Sequence, residues 1–494
     1  MAIREDQELK SRRAKLEQWN KLGVPKYPAV FKRTHSSDQV VRQADKGAPI
    51  LEGDAAPQGA SVSVAGRLKT IRPHGALWFA TLEDEAGEIQ LAAMQGASGQ
   101  QLWQLTELMD RGDIVGATGV IVKTKRGEVT VLVAELMPLA KALRPLPEKW
   151  HGLKDIEARL RQRYVDLMMD KDVRTLFQKK SIFWRVVRAH LAGTGFLEVD
   201  TPALEAVAGG ADANPFVTHH DALDRDFYLR ISLELPLKRL LVGGFEKVFE
   251  IGKVFRNEGI DTEHLQDYDM CELYWAYADY EDMMTLTQGL YQALVQSVTG
   301  VFTTTYEGKA INWAGEWPRR DYFELIKEHT GEDLSGITDV AKLQKLLEKH
   351  KVRYEESMGA GRLIDLFWKK LARPKVQGPL FIINHPVEVS PLAKRHRTME
   401  GRVERFQIIV GGSELGNGFS ELNDPADQRT RFEEQANLRA AGDAEAQMLD
   451  EDFITALEYG MPPAAGFGFS ERLFSFIMDK PIRETVLFPP MRSK

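Results

Sequence analysis

Cysteine is almost absent from this 494-residue sequence, and its scarcity narrows the chemistry available to the chain. The single cysteine, Cys271, excludes an internal disulfide and any zinc cluster built from several cysteines. Its place in an apolar, alternating run indicates a small buried strand residue rather than a nucleophile. Such a composition is typical of a reducing compartment, so we expect a cytoplasmic protein.

Long apolar runs and an excess of positive charge are also missing. No stretch is long enough to span a bilayer, and the charged amino terminus lacks an apolar core, so we expect neither a membrane segment nor a signal peptide. The formal net charge of -7 is not that of a general nucleic-acid binder. Residues 1–50 nevertheless hold eleven Lys and Arg against six Asp and Glu, a basic segment that either contacts phosphates or is simply solvated.

Neither a Walker loop nor a dinucleotide-binding fingerprint is present, so a nucleotide site would have to be built differently. The length predicts two or more domains. Residues 1–50 form a basic helix, over about 5–22, and an extension. Residues 51–142 alternate as about five strands with one helix-like segment, GQQLWQLTELM, which predicts a barrel of the oligonucleotide-binding type or a purely structural barrel.

A proline-containing segment, residues 143–160, is predicted to be a linker. Residues 161–494 mix helices with strands that are mainly antiparallel by their alternation, which predicts an α+β domain. The Lys- and Glu-rich residues 300–370 interrupt that pattern and are predicted to form a helical insertion.

The stretch FRNEGIDTEHLQDYDMCELYWAY, residues 255–277, predicts an antiparallel hairpin with one apolar and one polar face. Arg256 and Glu258 share a parity in the first run, and Glu272 and Tyr274 share one in the second. The polar face is either solvated or part of a site. The connecting loop of about ten residues is long for a hairpin, which favours a binding loop.

Three further stretches place polar residues in strands or glycine-rich turns: GFLEVDTPALEAVAGGADANPF, GGSELGNGFSELND and GFGFSERLFSFIMDKPIRE. In the second, Asn417, Phe419 and Glu421 share one face. In the third, Ser470 is a candidate N-cap and Arg472 lies in the first helical turn, a combination that binds anions. Each stretch alone also fits an ordinary structural role.

Together these stretches resemble, in the correct order, the three motifs of class II aminoacyl-tRNA synthetases. The longer strings YLRISLELPLKRLLVGGFEKVFEI, NHPVEVSPLAK and GNGFSELNDPADQRTRFEEQ are similar to the bacterial type of lysyl-tRNA synthetase. The resemblance implies a barrel that binds the anticodon, a catalytic domain with a mainly antiparallel sheet, and a homodimer. It also implies an enzyme that activates L-lysine with ATP and Mg²⁺ and transfers it to the 3′ end of tRNA(Lys).

The resemblance assigns roles residue by residue. Arg256 and Arg472 would be the catalytic residues, and Glu414 and Gln407 would bind the metal ion. ATP would be bound by Arg256, Glu258, His264, Tyr268, Glu414 and Arg472; lysine by Gly210, Glu234, Arg256, Glu272, Tyr274, Asn417, Phe419 and Glu421; and the anticodon by Phe79 and Gln90.

This chain departs from the family pattern at three places. Gln407 stands where the family usually has a metal-binding carboxylate, and Leu265 stands where it usually has asparagine. The third motif is one residue short, with Phe469 and Ser470 near a position that favours glycine. Two other functions therefore remain open: a silent paralogue that senses lysine or tRNA, and a lysine transferase acting on a translation factor, although such transferases lack the amino-terminal barrel.

Overall fold

The computed structural model of the chain divides into two units, Met1–Lys154 and Asp155–Lys494. It describes residues 2–51, 57–147, 155–259, 264–356, 358–440 and 446–492. Within these residues no helix is both long and apolar enough to cross a membrane.

The first unit, over its described residues, is a closed barrel accompanied by helices. Its elements are α1 (Ala2–Lys21), α2 (Ser37–Ala44), β1 (Ser61–His74), β2 (Leu77–Glu83), β3 (Glu88–Met94), α3 (Gln100–Leu108), β4 (Ile114–Lys123) and β5 (Val129–Ala140). The strands follow one another around the barrel in the order β1-β2-β3-β5-β4, with β1 and β4 closing it. Leu16 and Trp19 of α1 are buried in the barrel core, which explains the apolar stripe of that helix.

The second unit mixes helices and strands along its whole length. Its first half contains α4 (Ile156–Arg161), α5 (Arg163–Met169), α6 (Lys171–Gly193), β6 (Leu197–Glu198), β7 (Leu204–Glu205), β8 (Val217–His220), β9 (Arg225–Leu229), α7 (Glu234–Val242), β10 (Lys247–Phe255), β11 (Asp267–Ala276), α8 (Tyr280–Thr299), β12 (Thr303–Tyr306), β13 (Lys309–Asn312) and β14 (Arg319–Asp321). Its second half contains α9 (Tyr322–Thr330), α10 (Val340–Lys349), α11 (Ala360–Phe367), β15 (Leu380–Ile383), β16 (Arg405–Val410), β17 (Ser413–Ser420), α12 (Pro425–Ala440), α13 (Glu451–Glu458), β18 (Ala464–Ser470) and α14 (Arg472–Ile477).

An eight-stranded sheet organises the described part of this unit, in the order β14-β15-β16-β17-β18-β11-β10-β6. All its pairs are antiparallel except the two at its edges, β14 with β15 and β10 with β6. The predicted α+β class with a mainly antiparallel sheet is therefore confirmed. The predicted hairpin is β10 and β11, in which Glu250 lies opposite Glu272.

Alternation along the strands gives the sheet two different faces. Leu273 and Phe467 lie on the face covered by α6 and α8, in a core with Phe183 and Tyr291. The other face carries polar residues at its centre and packs against α7 and α13 toward one end. The polar face of the hairpin is thus not a solvated surface, since Glu272 is only 2% exposed.

Two predicted boundaries need correction. The linker over 143–160 ends early, because Asp155 caps α4 by accepting hydrogen bonds from the backbone N–H groups of Glu157 and Ala158; residues 148–154 lie outside the described residues. Residues 300–370 are not only helical. They contain the β12–β13 hairpin and β14, which extends the main sheet, besides α9, α10 and α11.

Candidate active site

A cavity of about 1060 Å³ opens on the polar face of the eight-stranded sheet. It collects side chains from β11, β16, β17 and β18 and from the loop that follows β10, and one wall comes from α11 and the turns that follow it. All but one of the residues predicted for ATP, lysine or metal line it: Gly210, Glu234, Arg256, Glu258, His264, Tyr268, Glu272, Tyr274, Gln407, Glu414, Asn417, Phe419 and Arg472. Residues far apart in the sequence are therefore brought to one cleft.

Arg256 follows directly after β10, at the entrance to the long hairpin loop. Its backbone N–H donates to the carbonyl of Gln266 at 2.8 Å, and its Nε donates to the carbonyl of Ile231 at 3.2 Å. The guanidinium carbon lies 5.7 Å from the centre of the Tyr268 ring. These contacts fix a cation and an aromatic ring side by side in the cavity.

Glu272 supplies a buried carboxylate at the centre of the floor. Oε1 accepts hydrogen bonds from Ser232 Oγ at 2.6 Å and from the backbone N–H of Leu233 at 3.0 Å, and Oε2 accepts one from Tyr274. Burial raises the pKa of Glu272, and these three donors oppose the rise. The nearby Gly210 has φ +83°, and a Cβ there would lie 3.0 Å from Glu234 and Ser232, so glycine lets the backbone approach the carboxylates.

Glu234 and Glu421 form a second buried acidic group beside Glu272. Glu234 begins α7, and Lys238, one turn later, donates to its Oε1 at 2.5 Å. Lys238 also forms an ion pair with Glu421. Burial raises the pKa of Glu234 to about 7, against the attraction of Lys238.

Glu421 is the one predicted lysine-site residue that does not line the cavity. It is 1% exposed and lies behind Gly466, where a Cβ would come within 2.2 Å of its Oε1. The prediction that it forms part of the cavity wall is wrong in this respect, because β17 has ended at Ser420 and the chain turns inward. The absence of a side chain at Gly466 leaves room for this carboxylate.

Glu414 and Gln407 also line the cavity, one on each of two paired strands. Glu414 is partly exposed and lies 3.9 Å from the guanidinium of Arg373. Gln407 is buried, and its Oε1 accepts no hydrogen bond of good geometry from the described residues, although the imidazole of His385 lies beside it. No cluster of three or more His, Cys, Asp or Glu side chains suited to a metal ion occurs in the described part of the chain.

In the first unit, Phe79 and Gln90 lie on the same outer face of the barrel. Phe79 is opposite Ala92 and Gln90 is opposite Thr81 in the β2–β3 ladder, so the two are diagonal neighbours. Phe79 is half-buried in a small apolar cluster outside the main barrel core. Gln90 accepts a hydrogen bond from Thr130 at 2.8 Å.

Each of the two units matches a known protein family. Residues 155–492 match the model for class II tRNA synthetases (D, K and N), and residues 62–139 match the OB-fold nucleic acid binding domain. The chain belongs to the class II tRNA synthetases. It is 45% identical to the lysine–tRNA ligase of Carboxydothermus hydrogenoformans over 98% of both chains. It is 45% identical to that of Moorella thermoacetica, over 97% of this chain and 96% of the relative, and 44% identical to that of Enterococcus faecalis, with the same coverage.

The synthetase also contains site residues that the sequence patterns did not indicate. Arg405 lines the cavity, and its Nε donates to Oδ1 of Asn417 at 2.8 Å. Three more cations line the cavity, of which two lie in the predicted insertion and one just beyond it: Arg362, Lys369 and Arg373. Lys238 could have been predicted, because it stands four residues after Glu234 on a helix, a spacing that indicates contact.

The three departures from the family pattern have distinct consequences in this synthetase. Leu265 is buried and lines the cavity, so an apolar side chain replaces an amide there; residues 260–263 lie outside the described residues. The bulky ring of Phe469 points into the core, stacked 6.3 Å from Trp184. Ser470 ends β18, and its hydroxyl accepts a hydrogen bond from the backbone N–H of Arg472 at 3.3 Å, which is the contact predicted for an N-cap. With only six residues, α14 adds little dipole, so anion binding there would rest on Arg472.

Proposed function

We propose that this synthetase is a lysine–tRNA ligase and that the cavity is where lysine reacts with ATP. One observation carries the proposal: three buried carboxylates, those of Glu234, Glu272 and Glu421, converge at one end of a cavity that also contains Arg256 and Arg472. A substrate with two ammonium groups and one carboxylate matches that arrangement. The names of the relatives, all lysine–tRNA ligases, support the same substrate.

The first step joins the amino acid to AMP. A carboxylate oxygen of lysine attacks the α-phosphorus of ATP, the bond from that phosphorus to the bridging oxygen breaks, and pyrophosphate leaves. Two anions have to be brought together, so positioning and positive charge carry most of the catalysis. Arg256 would bridge the lysine carboxylate and the α-phosphate, and Arg472 would hold the phosphate tail.

The second step transfers the lysyl group to RNA. A ribose hydroxyl at the 3′ end of tRNA(Lys) attacks the carbonyl carbon of the adenylate, and AMP leaves. The adenine of ATP would be bound near Glu258, with His264 and Tyr268 close to the nucleotide. Phe79 and Gln90 would bind the anticodon, since an aromatic ring on an OB-fold surface provides a stacking platform for single-stranded bases.

Selection of lysine follows from the cost of leaving a buried charge unpaired. A neutral amino acid would leave at least one of the three carboxylates without its cation, which costs several kcal/mol. Tyr274, Asn417, Phe419 and the backbone at Gly210 would complete the walls of the lysine pocket. Rejection of uncharged amino acids therefore needs no separate editing step.

Magnesium fits the part of the cavity lined by Glu414 and Gln407, but with fewer charged protein ligands than the family pattern implies. Glu414 offers a carboxylate, and Gln407 offers an amide oxygen that accepts no hydrogen bond of good geometry from the described residues, a donor set of hard oxygens with one negative charge. The ion would neutralise the charge of the triphosphate. With so few protein ligands, ATP itself would have to hold it.

We further propose that the protein is a homodimer that works in the cytoplasm, where tRNA and ATP are found. Apolar side chains are exposed on the segment predicted for the interface, with Leu197 50% exposed and Leu204 46% exposed. A twofold axis through residues 180–205 would bury the same surface of both copies.

The function is tested by two measurements on the purified full-length protein. Lysine-dependent exchange of pyrophosphate into ATP reports the first step, and lysylation of tRNA(Lys) reports the second. Binding of lysine or tRNA with neither reaction, at high magnesium, would identify a silent sensor instead.

A further inference from the structure

Lys238 is a fully buried cation behind the wall of the proposed lysine pocket. Its exposed fraction is 0%, and its Nζ lies 2.5 Å from Oε1 of Glu234 and in ion-pair contact with Oε2 of Glu421. The ring centres of Phe419 and Phe453 are 5.2 Å and 6.0 Å from the same nitrogen. Lys238 does not line the cavity, but its ion-pair partners in the described structure are both residues proposed to bind the substrate.

A buried ammonium is expensive unless its partners keep it charged. Burial lowers the pKa of Lys238, but Glu234 and Glu421 outweigh that effect and raise it above the ordinary value for lysine. Conversely, burial raises the pKa of Glu234 to about 7, and Lys238 is the largest influence that lowers it. Burial also raises the pKa of Glu421 well above its ordinary value, and Lys238 is the largest influence that lowers it, so the ammonium stabilises the charged form of each carboxylate and they stabilise its own.

The number of charges in the pocket matches the substrate only if Lys238 is counted. When all three are ionised, Glu234, Glu272 and Glu421 carry three negative charges, and Lys238 in direct contact offsets one. The two that remain correspond to the two ammonium groups of lysine, whose carboxylate is left for Arg256. Oε1 of Glu421 is buried beside Gly466 and accepts no hydrogen bond from the described residues.

We infer that Lys238 is a positioning residue for lysine recognition, which holds the carboxylates of Glu234 and Glu421 and sets the pocket's charge to that of a substrate with two ammonium groups. This inference rests on the proposed function. It differs from two alternatives: that Lys238 only stabilises the fold, and that its ammonium occupies the place of the substrate's.

Other charged groups that face the carboxylates belong to neighbouring elements. Glu272 on β11 repels both Glu234 and Glu421, and Arg405 on β16 attracts Glu234. The side chain of Arg405 donates hydrogen bonds to Asn417 and to the turn at residues 389–390 rather than to a carboxylate. Lys238 is therefore the side chain cation in direct contact with this pair in the described structure.

The sign of the pH effect follows from these contacts. Below a pH of about 7, Glu234 holds a proton that competes with the substrate's ammonium, so the affinity for lysine should increase as the pH rises through that value. Without Lys238, the pKa of Glu234 would be higher still, because the group that lowers it most has been removed. The pH at which affinity increases should then move upward.

The first test compares wild type with Lys238→Met, a side chain of similar length without charge. KM and kcat for lysine and for ATP are measured by pyrophosphate exchange between about pH 6 and pH 8.5, a range that brackets the pKa of Glu234. We expect the KM for lysine at pH 7 to rise about fivefold, which is the fall in the ionised fraction of Glu234 if its pKa moves from about 7 to about 8, with the KM for ATP changed less than about twofold. Lys238→Arg keeps the charge and should keep the pH profile of wild type.

The second test uses Glu234→Gln with and without Lys238→Met. Glu234→Gln alone leaves the pocket one negative charge short, whereas the double variant restores the balance of two. Adding Lys238→Met to Glu234→Gln should therefore lower the KM for lysine, the opposite of its effect on wild type. If Lys238 only stabilised the fold, Lys238→Met would raise the KM for lysine or leave it unchanged in both backgrounds. The comparison of Glu234→Gln with the double variant remains decisive if the single Lys238→Met variant does not fold.

Three results would overturn the inference. One is a melting temperature lowered by Lys238→Met with the KM for lysine and its pH profile unchanged. Another is tighter lysine binding by Lys238→Met at pH 7, which would mean that Lys238 occupies the substrate's place. The third is a KM for lysine that does not fall in the double variant. Absence of lysine-dependent exchange in wild type would instead refute the proposed function before any variant is compared.

Discussion

The hydroxyl of Tyr274 donates a hydrogen bond to Oε2 of Glu272, 2.9 Å away and two residues earlier on the same face of β11. The other oxygen of that carboxylate is held by the hydroxyl of Ser232 and the backbone of Leu233. All three donors are neutral. They orient the carboxylate without cancelling its charge, which remains available to a cationic substrate.

Removal of the Tyr274 hydroxyl tests this arrangement. Hydrogen bonds to charged groups contribute about 1.5–3 kcal/mol, so Tyr274→Phe should raise the KM for lysine by about tenfold or more and leave the KM for ATP nearly unchanged. Tyr291→Phe is a matched control, because that buried hydroxyl donates to the backbone carbonyl of Leu415 at 2.7 Å and not to a carboxylate. An unchanged KM for lysine in Tyr274→Phe would contradict the proposed role of Glu272.

If the outer face of the barrel binds the anticodon, a substitution there should impair charging of tRNA without impairing pyrophosphate exchange. Because stacking on an aromatic ring contributes about 1–3 kcal/mol per base, Phe79→Ala should reduce charging of tRNA and leave pyrophosphate exchange unchanged. Leu77→Ala is the control, since Leu77 packs in the same small cluster on the same strand face. Equal effects of both variants on melting temperature, with equal loss of both activities, would mark Phe79 as a packing residue.

Because Gln407 is uncharged, we expect substitutions at positions 407 and 414 to change the magnesium concentration needed for half-maximal exchange. Gln407→Glu would add a negative ligand beside Glu414 and should lower the magnesium concentration for half-maximal exchange. Glu414→Gln should have the opposite and larger effect, since it removes the one carboxylate of the pair. Both effects are measured by magnesium titrations at saturating ATP and lysine. If Gln407→Glu leaves the magnesium midpoint unchanged, Gln407 does not face the metal.

The exposed apolar residues predict association between two copies of the chain. Leu197→Lys would place a charge in the proposed twofold interface, once from each copy, and should shift the protein toward monomer in sedimentation experiments. Tyr459→Lys is the control, because it changes a residue that is also exposed but lies outside residues 180–205. Wild type that sediments as an active monomer at micromolar concentration would refute the dimer.

Strand alternation is sufficient to predict the barrel, the β10–β11 hairpin and the polar face of that hairpin. These features depend on a period of two residues, which is local and visible in the sequence. The shared face of Asn417 and Phe419 is predictable for the same reason. What the pattern cannot predict is that Glu421, two residues after Phe419, lies behind the cavity wall, because that depends on where β17 ends.

Contacts between distant segments are harder to predict from the sequence. Lys238 meets Glu421 from a helix far earlier in the chain, and no local pattern indicates that pairing. Arg373 contacts Glu414 from just beyond the predicted insertion. The Lys- and Glu-rich composition of that insertion is typical of solvent-exposed helices, so it does not indicate a contact with the site. Such contacts are set by packing of the sheet and its helices rather than by propensity.

The central claim, that the cavity activates lysine, is tested most directly by the amino-acid dependence of pyrophosphate exchange. The purified full-length protein is assayed with ATP and magnesium and with lysine, aspartate or asparagine in separate reactions. Two buried carboxylates, those of Glu234 and Glu272, line the proposed lysine pocket, and that of Glu421 lies behind its wall. We therefore expect exchange with lysine and none above background with aspartate or asparagine. Exchange supported by aspartate or asparagine, or by none of the three at high magnesium, would contradict the claim.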